Sequence, residues 1–582
     1  MENKIYSING PVIKVKDSTD FSLLEMVHVG HNHLLGEVIS IDKNFTVIQV
    51  YESTTGLKIN EPVEPSGSLL SCVLGPGIMS NTYDGIQRPL VDIAEKYGSY
   101  IDVGSDVQPL NVDKKWDVKI KVKLNEQIVG GQIYATCQET VLIEHRMMFS
   151  PLLSGKIVDV KEDGQYKIHD VIMKVQDDNG VVHDITLIQK WPIRKPRPIK
   201  ARKPLNRPLA TGQRVIDTMF PIAKGGCAAI PGGFGSGKTM TQHQIAKWCD
   251  ADIIVYVGCG ERGNEMTQVL EEFSELIDPK SNRPLLDRTV LIANTSNMPV
   301  AAREASIYTG ITLAEYYRDM GYDVAVMADS TSRWAEALRE ISGRLEEMPA
   351  EEGFPAYLPS RISQFYERAG STETLSGNDG SVTIIGAVSP QGGDFSEPVT
   401  QNTKRFVRCF WALDKSLAYA RHYPAINWNS SYSEYIDDLS KWYGDNVAYD
   451  FMTLRNEMVK TLHEENDLNE IVKLIGSDIL PDDQKLTMEI AKCIRVGFLQ
   501  QNAYHADDTY VPFEKQYKMM KIIFYLYTEA KKLIIKKIPT RLIVETGIFD
   551  RVIKIKYDVP NNNLALLDAY FNEIDQTLLK VE

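Results

Sequence analysis

The chain has 582 residues, of which 43% are hydrophobic and 24% are charged, a composition typical of a folded globular protein. This length exceeds the usual size of one domain several times over, so we expect three to four domains. The 64 basic and 78 acidic residues give a formal net charge of -14, which argues against broad binding to nucleic-acid phosphates. We therefore expect no nucleic-acid partner.

The cysteines and the apolar segments indicate the compartment. The seven cysteines are scattered and form no C-x-x-C pair, as expected for reduced thiols in the cytosol. The start of the chain lacks an apolar segment after a basic one, and no window reaches about 18 uninterrupted apolar residues. We expect the chain to be neither secreted nor membrane-spanning.

The first half of the chain is rich in strand patterns. Residues 1–70 contain short alternating runs such as 46–51, broken by glycine, proline and Asn-Gly, which predict a small N-terminal β-barrel. Residues 71–114 are assigned as a connecting segment that belongs to the core. Residues 115–189 predict an inserted β-rich domain, with strand-like runs at 118–122, 155–160 and 171–175.

The second half changes its rhythm. Four residues of the segment 191–198 are tryptophan or proline, and prolines cannot join a central ladder, so a new domain is expected to begin there. Over 190–430, apolar runs at 252–257, 290–293 and 324–327 alternate with helical patterns, which predicts a parallel sheet covered by helices.

The last part, 431–582, is predicted to be helical. Four large side chains fall on one helical face, namely Tyr517, Met520, Phe524 and Tyr527. Packing against neighbouring helices explains such a stripe better than a ligand site does, because core faces require this spacing.

A glycine-rich loop carries the clearest chemistry. The sequence GGFGSGKT follows an apolar run and precedes a helix-compatible stretch, which is the context of a P-loop (Walker A motif) rather than of an incidental turn. Backbone N–H groups of such a loop surround phosphates, its lysine reaches the β- and γ-oxygens, and its hydroxyl residue can bind Mg²⁺. The predicted nucleotide-binding residues are Gly232, Gly233, Phe234, Gly235, Ser236, Gly237, Lys238 and Thr239.

Two strand ends supply candidate acidic groups. Asp329 ends an apolar run about ninety residues after the loop, where P-loop enzymes hold Mg²⁺, although a helix cap would give the same pattern. Glu261 and Arg262 follow another apolar run between glycines. A carboxylate there can orient or deprotonate a water, and a guanidinium can meet charge on the γ-phosphoryl group. The alternative is a surface ion pair.

Three longer segments carry a family resemblance. They are GCGERGNEM, the run from Met327 to Arg361 and SPQGGDFSEPVTQNT from Ser389 to Thr403. The sequence resembles the catalytic A subunit of V/A-type rotary ATPases. That family has an N-terminal β-barrel, an inserted bulge domain, a RecA-like core with a P-loop and a helical C-terminal domain. The loop departs from the family pattern at Gly233, where proline is usual, and this change removes no ligand.

The resemblance implies roles for the matching residues. Lys238 and Thr239 would bind phosphate and Mg²⁺, Asp329 would complete the outer shell of the metal, Glu261 would act on the water, and Arg262 would contact the γ-phosphate. Two further tyrosines match the rings that enclose adenine in the family, namely Tyr423 and Tyr504.

The resemblance also implies partners and a location. The chain would use Mg²⁺ with ATP or ADP and form an A₃B₃ ring with non-catalytic B subunits. Central rotor stalk subunits, peripheral stalk subunits and a membrane ion-translocating sector would join it. The complex would move H⁺ or Na⁺ and lie in the cytoplasm, peripheral on the inner face of the cell membrane.

Two other function classes share parts of this pattern. A hexameric RecA-like helicase or a protein-export ATPase uses the same phosphate machinery, but the acidic charge and the inserted β domain argue against it. A nucleotide-binding structural subunit without turnover is the non-enzyme alternative, and the intact loop together with Glu261 argues against that.

Overall fold

The computed structural model describes residues 3–16, 20–98, 104, 107–278, 281–476 and 479–581. The chain divides into two compact units, and each is described by itself. The first comprises residues 1–204, 225–227 and 251–406, and the second comprises residues 205–224, 228–250 and 407–582.

The first unit begins with an antiparallel six-stranded sheet whose edges meet. A bridge between Lys4 and Pro62 joins the first strand to the last, so the sheet closes into a barrel around an apolar interior. The predicted N-terminal barrel is confirmed. Its strands are Ile5–Asn9, Val12–Lys16, Glu25–Val29, Leu34–Ile41, Phe45–Val50 and Val63–Leu69.

The inserted β-rich segment forms two four-stranded sheets. Two of the predicted strands are displaced by two residues from the observed ones, because a period of two residues does not mark strand ends, whereas Gly155–Val160 agrees with the prediction. The strands are Trp116–Ile120, Gln127–Ile128, Ile133–Gln138, Glu144–Met148, Gly155–Val160, Gly164–Tyr166, Met173–Asp177 and Val182–Ile185.

One buried arginine joins the barrel to the core of the first unit. The Arg194 guanidinium donates to Glu37 of the barrel strand Leu34–Ile41 and to Glu304 of the helix Val300–Asp319 through four hydrogen bonds. The Tyr51 hydroxyl also donates to Glu37, at 2.7 Å. Because the charges are paired and hydrogen-bonded, their burial is tolerated.

The core of the first unit is a parallel sheet. Its strands lie in the order Asp379–Val388, Asp323–Asp329, Ile253–Glu261, Thr289–Thr295 and Thr82–Tyr83. The three apolar runs predicted as strands are confirmed, and each strand is longer than its run because polar residues extend it at the carboxyl end. All five strands therefore direct their carboxyl ends to one edge.

Shorter elements complete the first unit. The remaining strands are Ser71–Leu74, Gln189–Pro192, Ala201–Lys203, Ile277–Asp278, Arg283–Pro284 and Gly370–Glu373. The helices are Leu90–Tyr97, Gly263–Glu275, Leu285–Arg288, Val300–Asp319, Thr331–Arg344, Glu351–Gly353, Leu358–Tyr366, Gln391–Gly393 and Pro398–Phe406.

The second unit combines a short parallel pair of strands with many helices. Ala228 and Ala229 of the strand Cys227–Pro231 pair with Cys409–Phe410, which in turn pairs with Tyr432–Ser433. The helices are Val215–Met219, Lys238–Trp248, Lys415–Tyr419, Ile436–Asn446, Phe451–Ile475, Asp482–Lys492, Cys493–Leu499, Phe513–Ile535, Thr540–Glu545, Ile548–Ile553, Ile555–Asp558, Leu564–Asp568 and Ala569–Leu578.

The helix Phe513–Ile535 carries the predicted stripe of large side chains. Met520 and Phe524 are buried as predicted, whereas Tyr517 and Tyr527 are only half-buried. The hydroxyl of Tyr517 donates to Asp450 and so keeps a polar end at the edge of the buried face. Among the described helices, none combines the length and apolarity that crossing a bilayer requires.

Candidate nucleotide site

The glycine loop lies between a strand and a helix, as the sequence predicts. The strand ends at Pro231 and the helix Lys238–Trp248 begins directly after Gly237. Gly235 and Gly237 have φ angles of 78° and 91°, which side chains other than glycine rarely adopt. The loop therefore turns its backbone N–H groups toward the start of the helix, which is a favourable place for an anion.

The loop is held closed by its own side chains. A Cβ atom on Gly232 would overlap Ser236 Oγ, which itself donates to the Gly233 carbonyl at 2.7 Å. The Lys238 ammonium donates to the carbonyls of Gly232 and Gly233 at 2.6 and 3.1 Å. This ammonium is thus already placed inside the loop, and a phosphate would offer it stronger, charged acceptors.

The other loop residues differ in their exposure. Phe234 lies at the tip and is 81% exposed, and Thr239 lies in the first turn of the helix. The Thr241 hydroxyl donates to the Gly237 carbonyl at 2.9 Å and stabilises that first turn. The phosphate-loop prediction thus has a matching backbone and a matching lysine.

Tyr423 lies beside the same loop. Its Cε1 atom is 3.9 Å from the position that a Cβ atom on Gly237 would take, and its side chain is 47% exposed. A half-exposed ring beside a phosphate loop offers a face on which a base can stack. The structure thus brings one of the two predicted tyrosines to the loop.

Tyr504 lies on a loop that is anchored to Tyr423 but projects outward. The Gln501 N–H donates to the Tyr423 carbonyl at 2.7 Å, and the Asn502 N–H donates to Asp508 at 2.7 Å. The Tyr504 ring itself is 94% exposed. No contact between the two rings is present in the described structure, so their pairing around a base stays a prediction.

A buried ion pair supports the Tyr504 loop. The Arg214 guanidinium donates to Asp508 at 2.6 Å, and both side chains are fully buried. Arg214 also donates to the carbonyls of Phe498 and Gln500. Sequence reasoning missed this pair, since its members are 294 positions apart and neither stands in a motif.

In the first unit, Glu261 lies at the carboxyl end of the strand Ile253–Glu261. A register shift between Cys259 and Glu261 ends the regular pairing with the neighbouring strand. Gly260 has a φ of 73°, and a Cβ atom there would lie 2.9 Å from Arg333 Cβ and 3.0 Å from Arg303 Cδ. Only glycine fits this bulge, which re-aims the glutamate that follows it.

The surroundings of Glu261 favour its protonated form. Burial, then the nearby charges of Asp329 and Glu265, raise the pKa of Glu261 to about 8, while the Arg333 guanidinium opposes them. A pair of carboxylates in a half-buried place repels a second negative charge. A cation brought beside them would lower this pKa and favour the carboxylate form.

Asp329 ends the adjacent parallel strand. It is opposite Gly258 in the register, three positions before Glu261, and it is almost completely buried. The Tyr256 hydroxyl donates to its Oδ2 atom at 3.1 Å and fixes the carboxylate. The structure therefore brings the two predicted acids together, and Tyr256 is a supporting residue that sequence reasoning missed.

Arg262 has a more open position. It precedes the helix Gly263–Glu275, its side chain is 65% exposed, and its Nη1 atom is 3.9 Å from Glu265. This long ion pair on the surface leaves the guanidinium able to turn toward another anion. Its predicted contact with a γ-phosphate is not tested by this arrangement.

The regions of the chain match four family models. Residues 5–67 match the β-barrel domain of the ATP synthase alpha/beta family, and residues 107–194 match its barrel-sandwich domain. Residues 212–433 match the nucleotide-binding domain of the same family. Residues 440–543 match the C-terminal domain of V and A type ATP synthase.

Full-length relatives decide between the family branches. The chain is 61% identical to the V-type ATP synthase alpha chain 2 of Clostridium tetani, over 98% of this chain and 97% of that protein. It is 58% identical to the V-type ATP synthase alpha chain of Halothermothrix orenii, over 98% of each chain. It is also 54% identical to the corresponding A-type ATP synthase protein of Methanopyrus kandleri, over 96% and 95% of the two chains.

The chain belongs to the alpha (A) subunits of V/A-type ATP synthases. It is the catalytic component of a rotary, ion-coupled enzyme that hydrolyses or synthesises ATP, as the sequence resemblance predicts. This membership sets aside the alternatives of a helicase and of a structural component without turnover.

A solved structure shares the fold of this ATP synthase chain. The ATPase EscN of the enteropathogenic E. coli type III secretion system aligns with a TM-score of 0.65 at 20% identity, over 90% of this chain and all of that one. At this identity the likeness concerns the fold alone. It explains why a protein-export ATPase was a reasonable alternative from the phosphate motif.

Proposed function

We propose that this chain performs in-line attack of water on the γ-phosphoryl group of Mg-ATP, and the reverse reaction, with the residues named above. The observation that carries the proposal is the strand–loop–helix in which the Lys238 ammonium already lies between two loop carbonyls. A phosphate replaces those neutral acceptors by charged ones, which are roughly twice as strong.

The donor set fits Mg²⁺. Thr239 offers a hydroxyl and Asp329 a buried carboxylate, and Mg²⁺ prefers such oxygen ligands. Among the described residues there is no cluster of three or more histidines, cysteines or acids arranged to hold a metal ion. This agrees with an ion that arrives with nucleotide, since Mg²⁺ commonly binds one or two protein groups together with phosphates. When bound, the ion neutralises charge on the phosphate oxygens.

Glu261 is the proposed general base. In the ATP-bound state it accepts the proton of the attacking water, and its raised pKa makes it a stronger base than an ordinary glutamate. Arg262, exposed on the surface, would contact the γ-phosphate. We assign the remaining positive charge to an arginine finger of a neighbouring protomer, a device worth about 10³- to 10⁵-fold in related enzymes.

Tyr423 and Tyr504 are proposed to enclose adenine. The position of Tyr423 beside Gly237 supports its role, and the backbone hydrogen bond from Gln501 to Tyr423 supports a linked loop for Tyr504. Stacking tolerates different bases and leaves the phosphate chemistry to other residues.

The assembly is proposed to be a ring of three copies alternating with three non-catalytic B subunits. Central rotor stalk and peripheral stalk subunits connect this ring to a membrane sector that moves H⁺ or Na⁺. The ring would lie on the cytoplasmic, inner face of the cell membrane. Membership in a multi-subunit ATP synthase family supports this arrangement.

Reconstitution tests the proposal directly. The purified chain alone, the chain with its B partner and the full complex are assayed for Mg-ATP turnover at equal concentration. We expect the chain alone to be a poor ATPase and the assembled ring to be active, because a cation is missing without the neighbour. Full activity of a demonstrated monomer would contradict the interface site.

A further inference from the structure

A cavity in the first unit is lined by arginines. Its volume is about 680 Å³, which lies within the range of roughly 300 to 1,000 Å³ that is usual for ligand pockets. None of its lining residues is among those assigned to catalysis. In a chain with a net charge of -14, such a concentration of positive charge is unusual. The arginines are Arg194, Arg197, Arg202, Arg318, Arg361 and Arg368.

Four of these arginines are neutralised inside the protein. Each donates to at least one buried carboxylate at 2.6 to 2.9 Å. The pairs are Arg194 with Glu37 and Glu304, Arg197 and Arg318 with Asp319, and Arg368 with Glu315. They form a rigid floor and leave no charge to explain.

The other two arginines have no carboxylate within ion-pair distance in the described part of the chain. Arg202 donates to the carbonyls of Ala369 and Glu367, at 3.1 and 2.8 Å. The Arg361 guanidinium lies 5.7 Å from the centre of the Tyr357 ring. The one further acid on the wall, Glu367, accepts a hydrogen bond from Ser363 at 2.6 Å. Two guanidinium groups thus line the cavity without a paired anion.

A buried hydroxyl makes the same wall a donor surface. Tyr308 lines the cavity and is only 3% exposed, yet its hydroxyl has no hydrogen-bond partner among the described residues. Burial raises the pKa of Tyr308 to about 12, so the hydroxyl keeps its proton at neutral pH. A buried hydroxyl without a partner is costly, and a bound acceptor would remove that cost.

We propose that this cavity binds a compact oligophosphate of the pyrophosphate class, with Arg202, Arg361 and Tyr308 as its donors. Guanidinium groups bind phosphate oxygens in a bidentate way, which suits two arginines that lack carboxylates. The volume exceeds the need of a single phosphate. Solvated surface arginines would account for Arg202 and Arg361 but not for the unpartnered Tyr308 hydroxyl.

Calorimetric titration of the full chain with pyrophosphate, in the presence of EDTA, tests the proposal. The Lys238→Ala background weakens the phosphate loop, so that the arginine cavity dominates. We expect saturable binding that Arg202→Gln and Arg361→Gln each weaken by about 10-fold or more, as the loss of a charged hydrogen bond implies. Arg541→Gln, which removes an exposed arginine in the second unit, is the matched control and leaves the affinity unchanged.

Tyr308→Phe separates binding from folding. Because the hydroxyl has no partner among the described residues, we expect this variant to keep its melting temperature without anion and to bind pyrophosphate several-fold more weakly. The proposal is overturned if the background variant binds no pyrophosphate, or if the arginine and tyrosine variants bind like their parent. Binding of ATP but not of pyrophosphate at these residues would also overturn it, because recognition would then depend on the base.

Discussion

The glycine loop and the acidic strand ends are opposite in charge and in solvation. The loop is glycine-rich, has an exposed tip at Phe234 and holds one ammonium among backbone carbonyls. The acidic pair, Glu261 and Asp329, is largely buried, and its members raise each other's cost of ionisation. One region is ready for an anion, whereas the other is ready for a cation or a proton.

This difference separates binding from chemistry. A loop that already holds its lysine needs little rearrangement to bind phosphate, so it should control affinity. A carboxylate whose pKa is raised to about 8 is a group that accepts a proton readily, so it should control turnover. The following changes test whether the two regions divide the work in this way.

Lys238→Ala is expected to have the largest effect. It removes the fixed counter-charge of the phosphates, so turnover should be abolished and nucleotide affinity should fall sharply. Turnover of the assembled complex and titration with a fluorescent ATP analogue measure the two quantities. Normal hydrolysis by this variant would show that the loop is not the working site.

Glu261→Gln should affect turnover alone. The amide keeps the shape of the side chain but cannot accept the proton of water, so we expect a loss of about 10²- to 10⁴-fold in turnover with unchanged nucleotide affinity. The same two assays measure it. If turnover stayed within a few-fold of the parent, the base would be another residue and the division between the regions would fail.

Asp508→Ala tests the support of the loop that carries Tyr504. It leaves the fully buried Arg214 without its carboxylate, which should lower the free energy of unfolding of this part of the chain by about 3 to 5 kcal/mol. Denaturant unfolding measures the loss. Glu545→Gln, which breaks the exposed pair with Arg541 in the same unit, is the control and should leave stability unchanged.

Tyr423→Ala should have the smallest effect on the enzyme. Losing one stacking ring costs about 1 to 3 kcal/mol of nucleotide affinity and leaves the phosphate chemistry nearly intact at saturation. Tyr423→Phe and Tyr504→Phe should be nearly silent, because only the ring faces are used. Equal affinity of the parent, Phe and Ala variants would return both tyrosines to ordinary packing.

The parts of the site that could be predicted from sequence are local in the chain. The phosphate loop needs glycines at fixed spacing between a strand and a helix, and Asp329 needs only the end of an apolar strand. Both requirements are visible within about ten residues, which is why the strand–loop–helix and the acidic strand ends could be anticipated.

The supporting residues were not predictable because they act over long distances in the chain. Tyr256 donates to a carboxylate 73 positions away, and Arg214 pairs with Asp508 across 294 positions. Tyr517 and Tyr527 were placed in a core face by their spacing, but their hydroxyl groups keep them at its edge. Periodicity describes which side of a helix is apolar, and it does not describe what the polar end of a side chain reaches.

The junction at Arg194 has a mechanical consequence. Bending between the barrel and the helix Val300–Asp319 would have to break four hydrogen bonds of one guanidinium at once. Such a junction behaves as a weld, so a cyclic load on the barrel would pass to the parallel sheet with little loss. We expect the elastic part of this motor to lie in segments that lack such a charged fastening.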